Sequence, residues 1–313
     1  MSKNSDFTKK EQDALLNIIG GSDVARKLLQ GELRFSISEK AVRIVGAVQK
    51  LFDKNGRRIK PKGLSSAICD LHKDLYINQP NIDYQERLCF GFSDTGLDPG
   101  MSVEDFSAKT DKLLNNLQSR EELKNLLNGP YFPIIIPKLH LSNPLGLSGM
   151  IQEIIKAVRK SYEKNILLKL RERRPFHIYD ERALQGVFEV ACGSRYNRLL
   201  KWINKESVVG IYFPMVFQGY SIDAQREQMI TLPQGLILSG PLDVGMAFGM
   251  YPDVLGRDWN TPSYLCSAVD KIEGMWSPSS LSFSGGGSDA SFGSNVVSSC
   301  SESRSSGGLL FVG

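Results

Sequence analysis

The chain has 313 residues, enough for about two domains of ordinary size, and 41% of them are hydrophobic and 23% charged, so a sizeable core can form. Its net charge of +4 is too small to require a nucleic-acid partner, and its five cysteines form no C-x-x-C pair, which argues against a disulfide framework and a clustered zinc site. No secretory signal and no apolar run long enough for a membrane span is found, so we expect a cytoplasmic protein.

The first elements in chain order are predicted to be helical. Thr8 and Glu11 have the spacing of a capping box, and a second helix starts at Ser22 after the glycine pair at 20–21. Such a hairpin could bind DNA as a helix-turn-helix, or it could serve docking or oligomerisation. The second helix offers few side chains that could read bases, which favours docking.

A third amphipathic helix is predicted from Ala41 to Phe52, and a basic segment follows it. Five of the nine residues from Lys54 to Lys62 are basic, around the turn signal Asn55-Gly56. The segment could face phosphates or could be a solvated loop. No aromatic side chain lies among the basic residues to stack on bases, so the solvated loop is favoured.

The middle of the chain alternates helices and strands. We predict a helix at 64–75, a strand at 84–92, capped helices after Ser102 and Ser119, and a helix from Ser148 to about Lys164. The residues 131–137 are predicted to be a short strand that lies at a sheet edge or a turn, because prolines bracket it. The segment 156–174 is rich in lysine and arginine with glutamates between them, the pattern of a salt-bridged outer face.

The pattern changes near residue 180. Short helices are predicted at 180–190, 196–204 and 222–230, with strand-like apolar runs at 208–217 and 236–238. We therefore predict an α+β protein. A helix-rich region at 1–179, for docking or assembly, precedes a mixed domain at 180–313.

No motif of catalysis is present. His72, His140 and His177 belong to no metal-binding spacing, and the glycines at 285–287 lack the lysine and the following helix of a phosphate loop. Cys192 could act as a nucleophile beside His177, but no third group to orient the pair is apparent. We expect no catalytic residue, no metal and no cofactor.

The C-terminal tail departs most from average composition, since 14 of the 30 residues from Ser277 to Ser306 are serine. A solvated linker would have this composition. However, Leu281 and Phe283 stand two apart, Phe292 follows, and residues 309–312 are all large and apolar. These anchors predict paired strands, the last inserted in a sheet, with small residues at the surface.

Between these anchors the small residues form a candidate binding surface, because loops on a rigid scaffold can vary while the fold persists. The candidate ligand-binding residues are Ser284, Gly285, Gly286, Ser288, Asp289, Ser291, Gly293, Ser294, Asn295, Ser298, Ser299, Cys300 and Ser301.

The tail also carries a resemblance. The residues Met275-Trp276-Ser277, Ser280–Phe283, Phe292 and Ser305–Val312 resemble the C-terminal end of C-type-lectin-like domains. The particular branch is that of formylglycine-generating-enzyme-like domains and of the variable proteins of diversity-generating retroelements. Upstream residues from Tyr251 to Tyr264 resemble proteins of uncultured bacterial lineages. The closing strand departs from the family, because it reads Gly-Leu-Leu-Phe-Val in place of Gly-Phe-Arg-Val.

The resemblance implies a target-binding protein without catalysis, with a variable segment at 275–313. In that family, reverse transcription randomises template adenines, and Asn, Ser, Gly and Asp codons result on solvent-facing positions. The partner would be a protein or other macromolecule, and the scaffold would be held by Trp276, Phe283, Phe292 and Phe311.

The alternative is a nucleic-acid-associated protein that uses the N-terminal hairpin and the basic stretches 54–62 and 156–174. Its contacts would include Arg57, Arg58, Arg173 and Arg174, and its binding would depend steeply on salt. An enzyme with an unrecognised site is the third possibility.

Overall fold

A computed structural model describes residues 34–38, 41–45, 51–59, 77–140, 146–178, 187–258, 261–272, 279–286, 288–296 and 305–313. The chain divides into two compact units, Met1–Lys50 and Leu51–Gly313. The predicted helices at 8–31 and 64–75 lie outside the described residues.

The described part of the smaller unit is a pair of antiparallel strands, β1 (Arg34–Ser38) and β2 (Ala41–Val45). The prediction of a helix from Ala41 was therefore wrong for these residues. Three of the five residues of β2 are β-branched valines or isoleucine, which favour extended backbone.

The larger unit carries the remaining elements. Its described helices are α1 (Tyr84–Phe92), α2 (Val103–Ser119), α3 (Gly146–Leu170), α4 (Tyr196–Ile203), α5 (Ile222–Gln228), α6 (Pro241–Met250) and α7 (Pro252–Leu255), with a 3-10 turn at Lys124–Asn128. Its described strands are β3 (Phe132–Ile136), β4 (Phe176–Ile178), β5 (Val187–Val190), β6 (Val208–Phe213), β7 (Leu236–Leu238), β8 (Ser263–Ile272), β9 (Ser279–Gly285), β10 (Ala290–Val296), β11 (Ser305–Gly307) and β12 (Leu309–Phe311). The protein is thus of the α+β class, as predicted.

A six-stranded sheet contains the serine-rich segment. Its strand order is β11-β8-β9-β10-β4, and β5 also pairs with β8. The β8–β9–β10 pairs are antiparallel, whereas β4 lies parallel to β10. Residues separated by more than 110 positions, such as Phe176 and Ala290, are therefore neighbours in this sheet.

The second sheet of the larger unit has the order β3-β6-β12-β7. β12 pairs antiparallel with β6 on one side and with β7 on the other. The prediction that the apolar end of the chain is a strand inserted in a sheet is confirmed. The edge position predicted for the proline-bracketed strand, β3, is confirmed as well.

The two sheets are linked directly by consecutive strands, because β11 belongs to the first and β12 to the second. Only Gly308 separates them. A Cβ atom on Gly308 would lie 2.4 Å from the Tyr212 ring and 3.0 Å from the Phe213 carbonyl oxygen, so the crossing requires glycine.

Helix α6 forms the centre of the core, and all ten of its residues are buried. It packs against β3 of one sheet, β8 and β9 of the other, and the long helix α3. Strands β3 and β4, which precede residue 180, pair with β6 and β10, which follow it. The boundary predicted between residues 179 and 180 was therefore wrong, since the larger unit continues through it.

Several element predictions are confirmed. Ser102 caps α2 by accepting a hydrogen bond from the Asp105 amide at 3.1 Å. The apolar stripe of α3 is buried, and α4, β6 and α5 occupy their predicted positions. The turn at Asn55-Gly56 is present, with Gly56 at a φ of 75°.

Three others are wrong. Tyr84–Phe92 was predicted to be a strand and is a helix capped by Asp83. The prediction failed because a short apolar run has no periodicity that distinguishes a strand from a helix. Residues 187–190 form strand β5, paired with β8, instead of the end of a helix. Ser119 ends α2 and does not cap a new helix, since its hydroxyl donates to the Asn116 carbonyl.

Within the described ranges, no helix has both the length and the apolar character needed to cross a membrane.

Candidate ligand-binding face

The β9–β10 hairpin has two chemically different sides. Phe283 pairs with Phe292 and Ser284 with Ser291 in the antiparallel register. Successive side chains of a strand point to opposite sides, so one side of the hairpin is apolar and the other is small and polar. The apolar residues Leu281, Phe283, Ala290 and Phe292 are completely buried.

The apolar side is fixed by aromatic packing. The Phe283 ring centroid lies 4.9 Å from that of Phe292, 5.6 Å from that of Phe248 in α6 and 6.5 Å from that of Phe176 in β4. Gly245 of α6 lets the helix approach, because a Cβ there would lie 2.7 Å from an Ile154 methyl and 3.3 Å from Phe283. The hairpin is thus anchored to the buried helix.

The opposite side carries the candidate residues, and we call it the serine face. It comprises Ser284, Gly286, Ser288, Asp289, Ser291, Gly293 and the neighbouring His177, all partly or fully exposed. The hydroxyls of Ser284 and Ser291 lie 3.2 Å apart across the two strands. A Cβ on Gly293 would meet nothing within 4 Å, so this position has room for larger side chains.

His177 joins the serine face through the parallel pairing of β4 with β10. It stands opposite Ser291, and its Nε2 lies 3.8 Å from Asp289 Oδ2. The sequence predicts an ordinary packing or surface histidine at His177, because it belongs to no metal-binding motif, and 112 positions of chain separate it from Asp289. No sequence spacing could have indicated this juxtaposition. The described part of the face therefore combines hydroxyls with one acidic group and one imidazole.

Other candidates are placed differently. Gly285 packs against the chain behind it, since a Cβ there would lie 3.0 Å from the Gly256 backbone and 2.9 Å from Thr261 Oγ1. Packing therefore requires a residue without a side chain at Gly285, whereas the sequence predicted a surface position that can vary. Ser294 and Asn295 lie in β10, in register with Leu281 and Ser280. Ser298, Ser299, Cys300, Ser301 and the predicted anchor Trp276 are outside the described residues.

Not every serine of the segment is on the surface. The Ser280 hydroxyl is fully buried and lies 2.9 Å from the Cys266 carbonyl and 3.1 Å from the Val269 carbonyl, where β8 departs from regular register. Ser306 is also fully buried, and its hydroxyl donates to the Pro214 carbonyl at 2.7 Å. These hydroxyls satisfy buried backbone carbonyls and have a structural role.

The basic stretches of the alternative function are partly occupied by internal contacts. Arg58 is only 7% exposed, and its guanidinium donates to Gln228 Oε1, the Leu51 carbonyl and Thr231 Oγ1. Burial lowers the pKa of this guanidinium. Arg58 is therefore a structural residue, in contrast to the solvated position predicted for it.

On α3 and beyond, the predicted salt-bridged outer face is confirmed. Arg159 pairs with Glu163 at 3.3 Å, and Arg174 pairs with Glu172 at 2.8 Å. Lys164 pairs with Asp94 at 2.6 Å.

A buried carboxyl group lies at the start of α6, behind the hairpin. Asp243 Oδ1 accepts hydrogen bonds from the Tyr196 hydroxyl at 2.9 Å and the Gly240 amide at 2.8 Å. Burial raises the pKa of Asp243 to about 7. In the described part of the chain Oδ2 has no hydrogen-bond partner, so the protonated form is favoured by its surroundings.

The described residues contain no group of three or more His, Cys, Asp or Glu side chains that could hold a metal ion. Cys192 is exposed in the turn between β5 and α4. No family model, no curated protein and no solved structure matches the chain. The C-type-lectin-like resemblance and the role of each candidate residue stay predictions.

Proposed function

We propose that the protein is a non-catalytic target-binding protein that presents a diversifiable surface on the serine face. The observation that carries the proposal is the separation of roles along the β9–β10 hairpin. The residues that hold the hairpin to α6 are fully buried, whereas Ser284, Ser288, Ser291 and Gly293 are partly or fully exposed. A surface arranged in this way can change its contacts without changing its core.

The proposed partner is a protein or another macromolecule. Small hydroxyl-bearing side chains leave a broad surface on which larger side chains could be placed, and Ser and Gly adapt readily to hydrogen bonding. The face contains Asp289 and His177, which supply charge and imidazole chemistry in an otherwise neutral surface. The cytoplasm is the proposed compartment, supported by the free thiols of Cys89, Cys192 and Cys266.

Population sequencing of the locus tests the proposal. We expect amino-acid changes to concentrate at Ser284, Ser288, Ser291 and Gly293. Leu281, Phe283, Ala290 and Phe292 are matched controls within the same 13 positions, and we expect them to be invariant. A nearby reverse transcriptase gene with a near-copy of this coding segment would support the mechanism.

Two results would contradict the proposal. A hairpin no more variable than α2, or changes spread equally over the inward and outward residues, would show that the face is not diversified. Steeply salt-dependent nucleic-acid binding that is lost when Arg57 and Arg173 are neutralised would favour the alternative function.

A further inference from the structure

A cavity of about 570 Å³ lies between the turn at residues 53–57 and the segment 127–131. This volume is within the range of roughly 300–1,000 Å³ typical of pockets for small molecules. The cavity shares no described residue with the serine face, so a ligand bound in it would be independent of the proposed function.

The cavity walls are held in place by the surrounding backbone. Asp53 Oδ1 accepts hydrogen bonds from the amides of Asn55 and Arg57, which fixes the turn that carries both side chains. On the opposite wall, Gln79 exchanges two hydrogen bonds with the backbone of Tyr131, at 2.9 and 3.1 Å. The cavity is therefore preformed on both sides.

The two walls approach each other through glycines. Gly56 has a φ of 75°, and a Cβ there would lie 2.8 Å from the Gly129 nitrogen. A Cβ on Gly129 would lie 2.8 Å from the Asn55 carbonyl oxygen. Close backbone contact at this edge holds the two segments at a fixed separation.

The cavity carries one positive charge and, among its described lining residues, no carboxylate. The half-buried Arg57 makes no ion pair and no side-chain hydrogen bond within the described residues. The adjacent Arg58, by contrast, is buried, and each of its three guanidinium nitrogens donates a hydrogen bond to another part of the chain. A guanidinium has five donors in a planar arrangement that matches carboxylate and phosphate oxygens. Arg57 is thus available for an anion.

The rest of the lining is apolar or carries amides. Ile77 is 3% exposed and Met215 is 6% exposed, and the Tyr131 ring centroid lies 6.5 Å from that of Phe213. The side chains of Asn55 and Asn128 supply amide donors and acceptors. Such a lining suits a flat apolar body with one anionic group.

We propose that this cavity binds a small organic anion, with a carboxylate or phosphate group on Arg57 and a planar apolar body between Tyr131, Ile77 and Met215. Isothermal titration of the full chain with 1-naphthoate and with 1-naphthyl phosphate tests the proposal and distinguishes the two anionic groups. We expect saturable binding of at least one of them. The neutral 1-naphthamide should bind at least about tenfold more weakly, because it lacks the charge that Arg57 would contact.

The variant Arg57→Gln should weaken binding of the anion about tenfold or more, whereas the matched control Arg173→Gln, at an exposed arginine outside the cavity, should leave it unchanged. Asn128→Asp, which places a carboxylate at the cavity, should weaken it as well. Thermal unfolding checks that each variant is folded. If Arg57→Gln does not fold, the binding measured for Asn128→Asp tests the proposal in its place. The proposal is overturned if neither anion binds, if naphthamide or inorganic phosphate binds equally well, or if the decisive variant binds like the unchanged protein.

Discussion

The two sides of the β9–β10 hairpin share one backbone and one sequence segment, yet they are subject to opposite demands. On the inner side, Phe283 and Phe292 are completely buried against α6 and β4. On the outer side, the hydroxyls of Ser284 and Ser291 lie 3.2 Å apart, and a Cβ on Gly293 would have no neighbour within 4 Å. A change that empties the inner side removes contacts in the core, whereas a change at the partly exposed positions Ser284, Ser291 and Gly293 alters only the surface.

The comparison also separates serines that composition alone treats as equal. Ser280 and Ser306 are fully buried, and their hydroxyls contact backbone carbonyls, while Ser288 is exposed at the hairpin turn. A serine-rich segment can therefore contain both structural and replaceable residues. The distinction depends on position along the strand, because Ser280 and Ser284 lie on the same side of β9 and only Ser280 is fully buried.

The largest difference between the two sides should follow from Phe283→Ala. Removing this buried ring leaves a cavity against α6, so we expect the free energy of unfolding to fall by about 3–5 kcal/mol. Urea denaturation measures the change. Ser284→Ala, one residue away on the outer side, should change it by less than about 0.5 kcal/mol. Similar losses in the two variants would show that the hairpin has no distinct inner side.

The core helix α6, against which the inner side packs, should also confer a pH dependence through Asp243. Its pKa is about 7 in the folded protein and 3.8 when unperturbed, so between these values only the folded state holds the proton. The stabilisation from this proton is complete below pH 4 and is lost as the pH rises to 7, an amount of up to roughly 4 kcal/mol.

Asp243→Asn keeps the shape of the protonated group without a charge. We expect this variant to be more stable than the unchanged protein at pH 8 and to have a flatter stability profile between pH 4 and 8. Denaturation at several pH values measures both. Parallel profiles for the two proteins would be inconsistent with a buried neutral carboxyl group.

The buried serine should be less tolerant than its exposed counterpart. Ser280→Ala leaves the Cys266 and Val269 carbonyls without this hydroxyl, so the free energy of unfolding should fall by about 1–3 kcal/mol. Ser291→Ala removes only a contact between two surface hydroxyls and should be nearly neutral. Equal effects in thermal unfolding would contradict the structural role of Ser280.

Two glycines of the hairpin provide a contrast of similar size. Gly285→Ala brings a Cβ to 3.0 Å from the Gly256 backbone and should cost about 1–3 kcal/mol, as overpacking does. Gly293→Ala has free space and a strand backbone, and it should lie within about 0.5 kcal/mol of the unchanged protein. Calorimetry measures the stability of both variants. A larger loss of stability for Gly293→Ala than for Gly285→Ala would contradict the packing assigned to these two positions.

Much of the fold could be predicted where the sequence carries a strong local signal. The cap at Ser102, the stripe of α3 and the apolar run of β6 each led to the correct element. The strand predicted at Tyr84–Phe92 was wrong, because nine residues with scattered aromatic side chains fit the period of a strand and that of a helix equally well. The domain boundary failed for a different reason: strand pairing between β4 and β10 joins distant segments, and no local pattern records it.

The candidate site was predictable to the extent that it depends on alternation. Apolar anchors two residues apart indicated which side of the hairpin faces inward, and the burial of Leu281 and Phe283 agrees. His177 and the packing of Gly285 were missed, because both depend on segments distant in sequence. The cavity beside Arg57 was missed as well. Tertiary contacts decide that Arg58 forms internal hydrogen bonds and that its neighbour Arg57 lines the cavity, and no local sequence pattern shows this.

The passage of the chain through Gly308 has a consequence for how the molecule comes apart. Because β11 and β12 are separated by a single residue, neither sheet can lose its share of this segment without pulling on the other. The sheets should therefore melt together, in one cooperative step. Under the proposed function, the variable surface would therefore depend on a frame that unfolds as one unit. Selection for binding would then act only on molecules in which both sheets are intact.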